Sequence, residues 1–179
     1  RPPPWAQGLG ERFGFESPPH HGLDVVGTIM AMRDGAVGEF FALGGNFLSA
    51  TPDTELTARA LRRCRLTAHV STKLNRAHLV TGRRALILPC LGRTERDAAG
   101  FVTVEDSMSA VHASQGRLAP ASEQLLSEPS IVARLARATL GASSRVDWER
   151  LSGDYDEARQ LISETIPGFG DFNRRVREP

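Results

Sequence analysis

Two polar clusters carry the residues of this chain that could do chemistry. Gly44-Gly45-Asn46 follows the apolar run Phe40-Phe41-Ala42-Leu43, and Ser71-Thr72-Lys73-Leu74-Asn75-Arg76 follows Leu66-Thr67-Ala68-His69-Val70. Glycines let backbone N–H groups approach a ligand and adopt positive φ. An asparagine amide both donates and accepts, which suits a base edge or a pterin ring. The hydroxyls, ammonium, amide and guanidinium of the second cluster suit a pyrophosphate or the polar rim of a nucleotide. Loops at the carboxyl ends of neighbouring parallel strands are where open α/β sheets hold such ligands. Each cluster also has a bland reading. The first is then a tight strand-to-helix turn, and the second a solvated loop capped by its own serine and threonine.

The residues after the first loop narrow the choice. Gly-x-Gly-x-x-Gly is absent, so a simple NAD or FAD site is not expected. Asp53 and Glu55 open the next helix. Their carboxylates favour the helix dipole and repel phosphate, so sugar, base or ring atoms fit this loop better.

Other constellations carry less. His20, His21, His69, His78 and His112 lack the paired spacing of a metal site, and each reads as a surface or packed histidine. Ser71, His78 and Asp106 are rejected as a triad, because the serine has no nucleophile-elbow frame. Arg93-Thr94-Glu95-Arg96-Asp97 follows the third strand and could line a cleft, although such charge runs are commonly solvated. Cys64 and Cys90 adjoin apolar runs and read as near-core thiols in a reducing compartment.

The elements that must position the clusters follow from periodicity. Apolar residues at 25, 26, 29, 30 and 32 mark a helix stopped by Asp34-Gly35. Strands are expected at Glu39–Leu43, Leu66–Val70 and Ala85–Pro89. The last is apolar on both faces, as a central parallel strand would be. Thr51–Cys64 reads as a helix with Thr51 as N-cap and Pro52 at its first position. A short helix or turn is expected at Arg76–Gly82. Phe101–Glu105 and Ala110–His112 could form an antiparallel edge hairpin. Helices are expected from Ser127 to Leu140 and about Asp154–Thr165. The expected class is α/β with a mainly parallel sheet flanked by helices.

At 179 residues the chain can bury a self-sufficient core. Its 22 basic and 21 acidic residues give a net charge of +1, which makes no case for nucleic acid or an anionic membrane. Lys73 is the only lysine, and the arginines are scattered. No apolar run approaches the roughly 20 residues of a membrane span, and no signal peptide is visible. A cytoplasmic location is expected. Both ends read as cuts through connecting segments, so a piece of a longer protein is expected. Its expected divisions are a proline-rich wrapping segment at 1–21, a ligand-binding domain at 22–145 and a helical extension at 146–179.

Several segments together resemble the molybdopterin-dependent oxidoreductases, in particular the formate dehydrogenase alpha-subunit-like branch. They are Phe41–Asp53, Val70–Leu79, Ala85–Pro89 and Val104-Glu105-Asp106-Ser107-Met108-Ser109. The resemblance runs from about Gly22 to Gly141 and implies the family's third domain, a Rossmann-like three-layer unit gripping one dinucleotide. It implies a parent chain that holds molybdenum between two molybdopterin guanine dinucleotides, with an iron–sulfur cluster in many members and formate as the leading substrate. Gly44, Gly45 and Asn46 fall on the family's Gly-x-Asn-Pro loop. Ser71 and Thr72 fall where many members have Gln-Asp facing the guanosine end. Lys73 and Asn75 share that loop, and Glu105 falls on the Asn-x-Glu-Arg-Arg segment.

The departures are specific. Phe47 replaces the proline, and Thr72 replaces the acidic residue that would clasp guanine. No residue matches the family's metal ligand or its iron–sulfur cysteines. The resemblance therefore implies no catalytic or metal residue in this piece, and it implies an inactive, cofactor-free fragment whose partners are the remaining domains of the parent. The alternative from another class is a non-catalytic nucleotide-binding or interaction module, a core also offered by central domains of thiamine-diphosphate enzymes.

Overall fold

The computed structural model describes residue 3 and residues 5–178. In chain order its elements are α1 (Trp5–Phe13), α2 (Val25–Asp34), β1 (Glu39–Leu43), α3 (Phe47–Ala50), α4 (Thr54–Arg63), β2 (Leu66–Ser71) and β3 (Arg84–Pro89). They continue with β4 (Val102–Glu105), β5 (Val111–Ser114), α5 (Glu128–Leu140), α6 (Trp148–Gly153), α7 (Tyr155–Thr165) and α8 (Phe172–Arg175). The fold is mixed α/β, with a three-stranded parallel sheet, a two-stranded antiparallel sheet and flanking helices. Two compact units are present, Gly22–Cys90 and Arg1–His21 with Leu91–Pro179.

The Gly22–Cys90 unit is built by short-range signals. Asp24 accepts from the Gly27 N–H at 2.6 Å and starts α2, and Gly35 at φ 81° ends it. The sheet order is β1-β2-β3, with Phe41 opposite Ala68 and Ala68 opposite Leu86. The helices bring Ile29, Met32, Ala60, Leu61 and Cys64 into one core, against which Phe40 and Phe47 pack.

Two expectations are corrected here. The central strand is β2, not β3. Residues 67–70 are buried, whereas Leu86 on the β3 edge is 51% exposed. An apolar run marks a strand but does not place it in the sheet order. The helix after the first loop also starts later than Thr51. Asp53 caps α4 by accepting from the Leu56 N–H at 2.8 Å. Phe47–Ala50 form their own turn of helix, which leaves Thr51 extended at φ −96°, ψ 149°. Its buried hydroxyl meets Thr57 Oγ1 at 2.8 Å instead.

In the other unit, residues expected as a wrapping segment hold the helix α1. The strands β4 and β5 pair as expected but form a sheet of their own rather than an edge of the parallel one. Asp106 fixes their turn by accepting from the Met108 and Ala110 N–H groups at 2.8 and 3.1 Å. Ser127 caps α5. Arg159 on α7 is buried. It donates to the Phe101 carbonyl and to Asn173 Oδ1, each at 2.8 Å, and its guanidinium lies 3.9 Å over the Phe101 ring. Among the described residues no helix is long and apolar enough to cross a membrane.

Candidate functional site

The parallel register delivers both loops to the same end of the sheet, since Leu43 pairs with Val70 and each loop leaves directly after that pair. The Gly44 N–H donates to the Val70 carbonyl at 2.8 Å and carries the pairing one residue past β1. Gly44 and Gly45 then turn at φ 69° and 70°, a left-handed region that side-chain-bearing residues disfavour. A Cβ on Gly45 would meet nothing within 4 Å, so the turn there faces open space.

The second loop folds on itself. The Ser71 hydroxyl donates to the Lys73 carbonyl at 2.7 Å. Asn75 Oδ1 accepts from the Ala77 N–H at 2.9 Å, and His78 Nδ1 accepts from the Asn75 N–H at 2.7 Å. Together these two bonds form a capping box around a 3-10 turn at Arg76–Leu79. Asn75 Nδ2 reaches across to the Gly45 carbonyl at 3.1 Å and ties the two loops together.

The polar side chains of the loops divide into scaffold and free groups. Ser71 and Asn75 spend their polar atoms on the loops themselves. Among the described residues Thr72, Lys73 and Arg76 are exposed, with no side-chain hydrogen bond or ion pair. Asn46 Oδ1 is buried without a hydrogen-bond partner, an uncommon and costly state for a carbonyl oxygen. Glu105 stands exposed on β4, in the other unit. In that unit too, Glu95 and Asp97 of the charge run are engaged by backbone N–H groups, and Asp97 also by Tyr155.

Two residues that sequence reasoning set aside belong to this scaffold. His69 on β2 is 3% exposed and its Nε2 has no partner. Its ring packs on His78 with centroids 5.1 Å apart, and 6.0 Å from Phe40. Burial pushes the His69 pKa down, and the neighbouring His78 pushes it further the same way. The signal for His78 was present as Asn-x-x-His, with histidine in the place that glutamate or glutamine takes in a capping box. Among the described residues no three His, Cys, Asp or Glu side chains gather as a metal site.

The geometry thus defines an α/β sheet with two cross-tied polar loops at one end. No protein-family profile matches the chain. Over 175 residues it is 55% identical to a Mycobacterium tuberculosis protein named as an uncharacterized oxidoreductase, covering 96% of this chain and 22% of that protein. A Mycobacterium bovis protein of the same description matches equally. Protein YdeP of Escherichia coli is 46% identical over 175 residues, covering 96% of this chain and 23% of YdeP. The chain therefore spans less than a quarter of the length of these curated relatives.

Proposed function

We propose that this chain is part of an oxidoreductase and helps grip a dinucleotide-type cofactor, a molybdopterin guanine dinucleotide, through the Gly44–Asn46 and Ser71–Arg76 loops. The oxidoreductase class rests on the names of the mycobacterial relatives. The cofactor rests on the resemblance of the loop motifs and on one observation that carries it, the buried, partnerless Asn46 Oδ1. A buried acceptor of this kind is satisfied by a ring N–H or amino group arriving with a ligand.

The residues present fit such a group. Gly44 and Gly45 offer close backbone approach, Asn46 an acceptor, and Thr72 and Lys73 free donors in the neighbouring loop. Ser71 and Asn75 hold the loop shapes rather than spend atoms on the ligand. Thr72 has no carboxylate with which to clasp guanine, so the Lys73 ammonium and Arg76 guanidinium favour anionic or carbonyl-bearing parts of the dinucleotide. A metal held by the cofactor would supply the two-electron chemistry, while these side chains bind and orient. Formate is the substrate we favour for the complete protein.

Asn46→Leu tests the assignment. It removes the buried acceptor with a nearly isosteric side chain and buries no charge. Lower cofactor content in the full-length protein, with an unchanged melting temperature, supports the reading. Unchanged content counts against it.

A further inference from the structure

We propose that the recess between residues 93–94 and 114–117 is a second anion site, built to take a phosphate group. It belongs to the unit that contains β4 and β5 and shares no residue with the proposed cofactor loops.

An open recess of about 490 Å³ is lined by Arg93, Thr94, Ser114, Gln115, Gly116 and Arg117 among others, none of them acidic. Its floor is rigid. The Arg117 and Leu118 N–H groups donate to the Thr94 carbonyl at 2.9 and 3.0 Å, and the Arg96 N–H donates to the Leu118 carbonyl at 2.8 Å. The segments cross so closely that a Cβ on Gly116 would lie 1.9 Å from the Glu95 carbonyl oxygen. Only glycine fits there.

The ionic groups that line the recess, Arg93 and Arg117, are both cations. Glu95 in the crossing segment stays ionised, but its oxygens are turned onto the backbone. Its two oxygens accept from the Gly92 and Ala121 N–H groups, each at 2.5 Å. Those bonds hold its pKa below the usual carboxylate range. Asp97 is likewise taken, by the Tyr155 hydroxyl and the Ala99 N–H. Arg117 has no ion pair or side-chain hydrogen bond among the described residues, and Arg93 spends only Nε, on Ser114 Oγ at 3.3 Å. Two guanidinium groups with free N–H edges, beside two hydroxyls and an amide, form the donor set that a phosphate oxyanion requires.

The test is titration of the isotopically labelled 179-residue chain with inorganic phosphate, pyrophosphate and a nucleoside monophosphate, at ionic strength matched with chloride. The expected result is saturable shifts of the Gln115 and Gly116 amide signals. Arg93→Gln and Arg117→Gln should each weaken binding roughly tenfold, the loss of one charged hydrogen bond. Both side chains are exposed, so the melting temperature should hold. Arg96 lies outside the lining, and Arg96→Gln should leave affinity unchanged. The nucleoside monophosphate binding tightest would assign a phosphate ester, pyrophosphate binding tightest would assign a diphosphate group, and equal binding would assign free phosphate. Shifts reproduced by chloride alone, undiminished affinity in the double variant, or an equal loss in Arg96→Gln would each overturn the proposal.

Discussion

Asn75 Nδ2 donates to the Gly45 carbonyl at 3.1 Å, a bond between residues 30 apart that joins the loop after β1 to the loop after β2. The same amide accepts from the Ala77 N–H while the Asn75 backbone N–H donates to His78 Nδ1, so the spacing of the two loops depends on one amide bonded at both ends.

Replacing that amide should separate its two roles. Asn75→Ser keeps an acceptor for the Ala77 N–H and loses the reach to the Gly45 carbonyl. Asn75→Ala loses both and should cost about 1–2 kcal/mol more than a neutral surface change, in line with a lost cap. Urea unfolding of the three proteins checks the order wild type, Ser, Ala.

Glycines in the same unit should respond differently to alanine. Gly45 has φ 70° and open space, so Gly45→Ala carries backbone strain alone, about 1 kcal/mol. A Cβ on Gly82 would lie 2.5 Å from the Cys64 carbonyl oxygen, so Gly82→Ala must move backbone. Thermal melts should show the larger loss for Gly82→Ala.

His69 sets a sign for acid sensitivity. Its folded-state pKa is depressed by burial and by His78, while the unfolded chain titrates near the ordinary value of 6.5. The unfolded state therefore binds more protons in the window below 6.5 and above the depressed folded value. Stability attributable to His69 is present above that window and is lost as pH falls through it. Urea midpoints should drop between about pH 7.5 and about pH 5.5, and His69→Phe should flatten the drop.

Tyr155 is the only tyrosine, which makes its titration readable by absorbance. Burial first, and then its hydrogen bond to Asp97, raise its pKa well above the usual 10.0. Its hydroxyl donates within a cluster with Asp97 and Ser127. Phenolate absorbance should stay flat through pH 10 in the folded chain and rise at pH 10 in urea. Tyr155→Phe should cost about 1–3 kcal/mol, because Asp97 and Ser127 lose their shared partner.

The sequence made the three parallel strands and both polar loops legible, since each loop follows an apolar run and precedes a helix or turn. The end of α2 at Gly35 and the start of α5 at Ser127 were equally plain, because capping is a local signal. Sheet order was not. Leu86 and Leu88 look central by composition, yet they lie on an edge strand, a matter of tertiary neighbours. The helix Trp5–Phe13 was hidden by flanking prolines. The hairpin β4–β5 was visible, but whether it joined the sheet depended on contacts that no local pattern encodes. At the site, composition named donors without saying which were free. Ser71 and Asn75 proved to be bonded within the loops, and the buried pair His69 and His78 looked unremarkable one histidine at a time.

The central claim is that these loops serve a molybdopterin oxidoreductase. It is tested most directly on the chain extended to the length of its relatives and purified from a host that makes the cofactor. Elemental mass spectrometry gives molybdenum and tungsten per chain, and acid hydrolysis releases GMP for counting. About one metal atom and about two GMP per chain are expected, the composition of a bis-dinucleotide cofactor that carries the chemistry. Finding neither metal nor GMP would contradict the claim and remove the cofactor assignment.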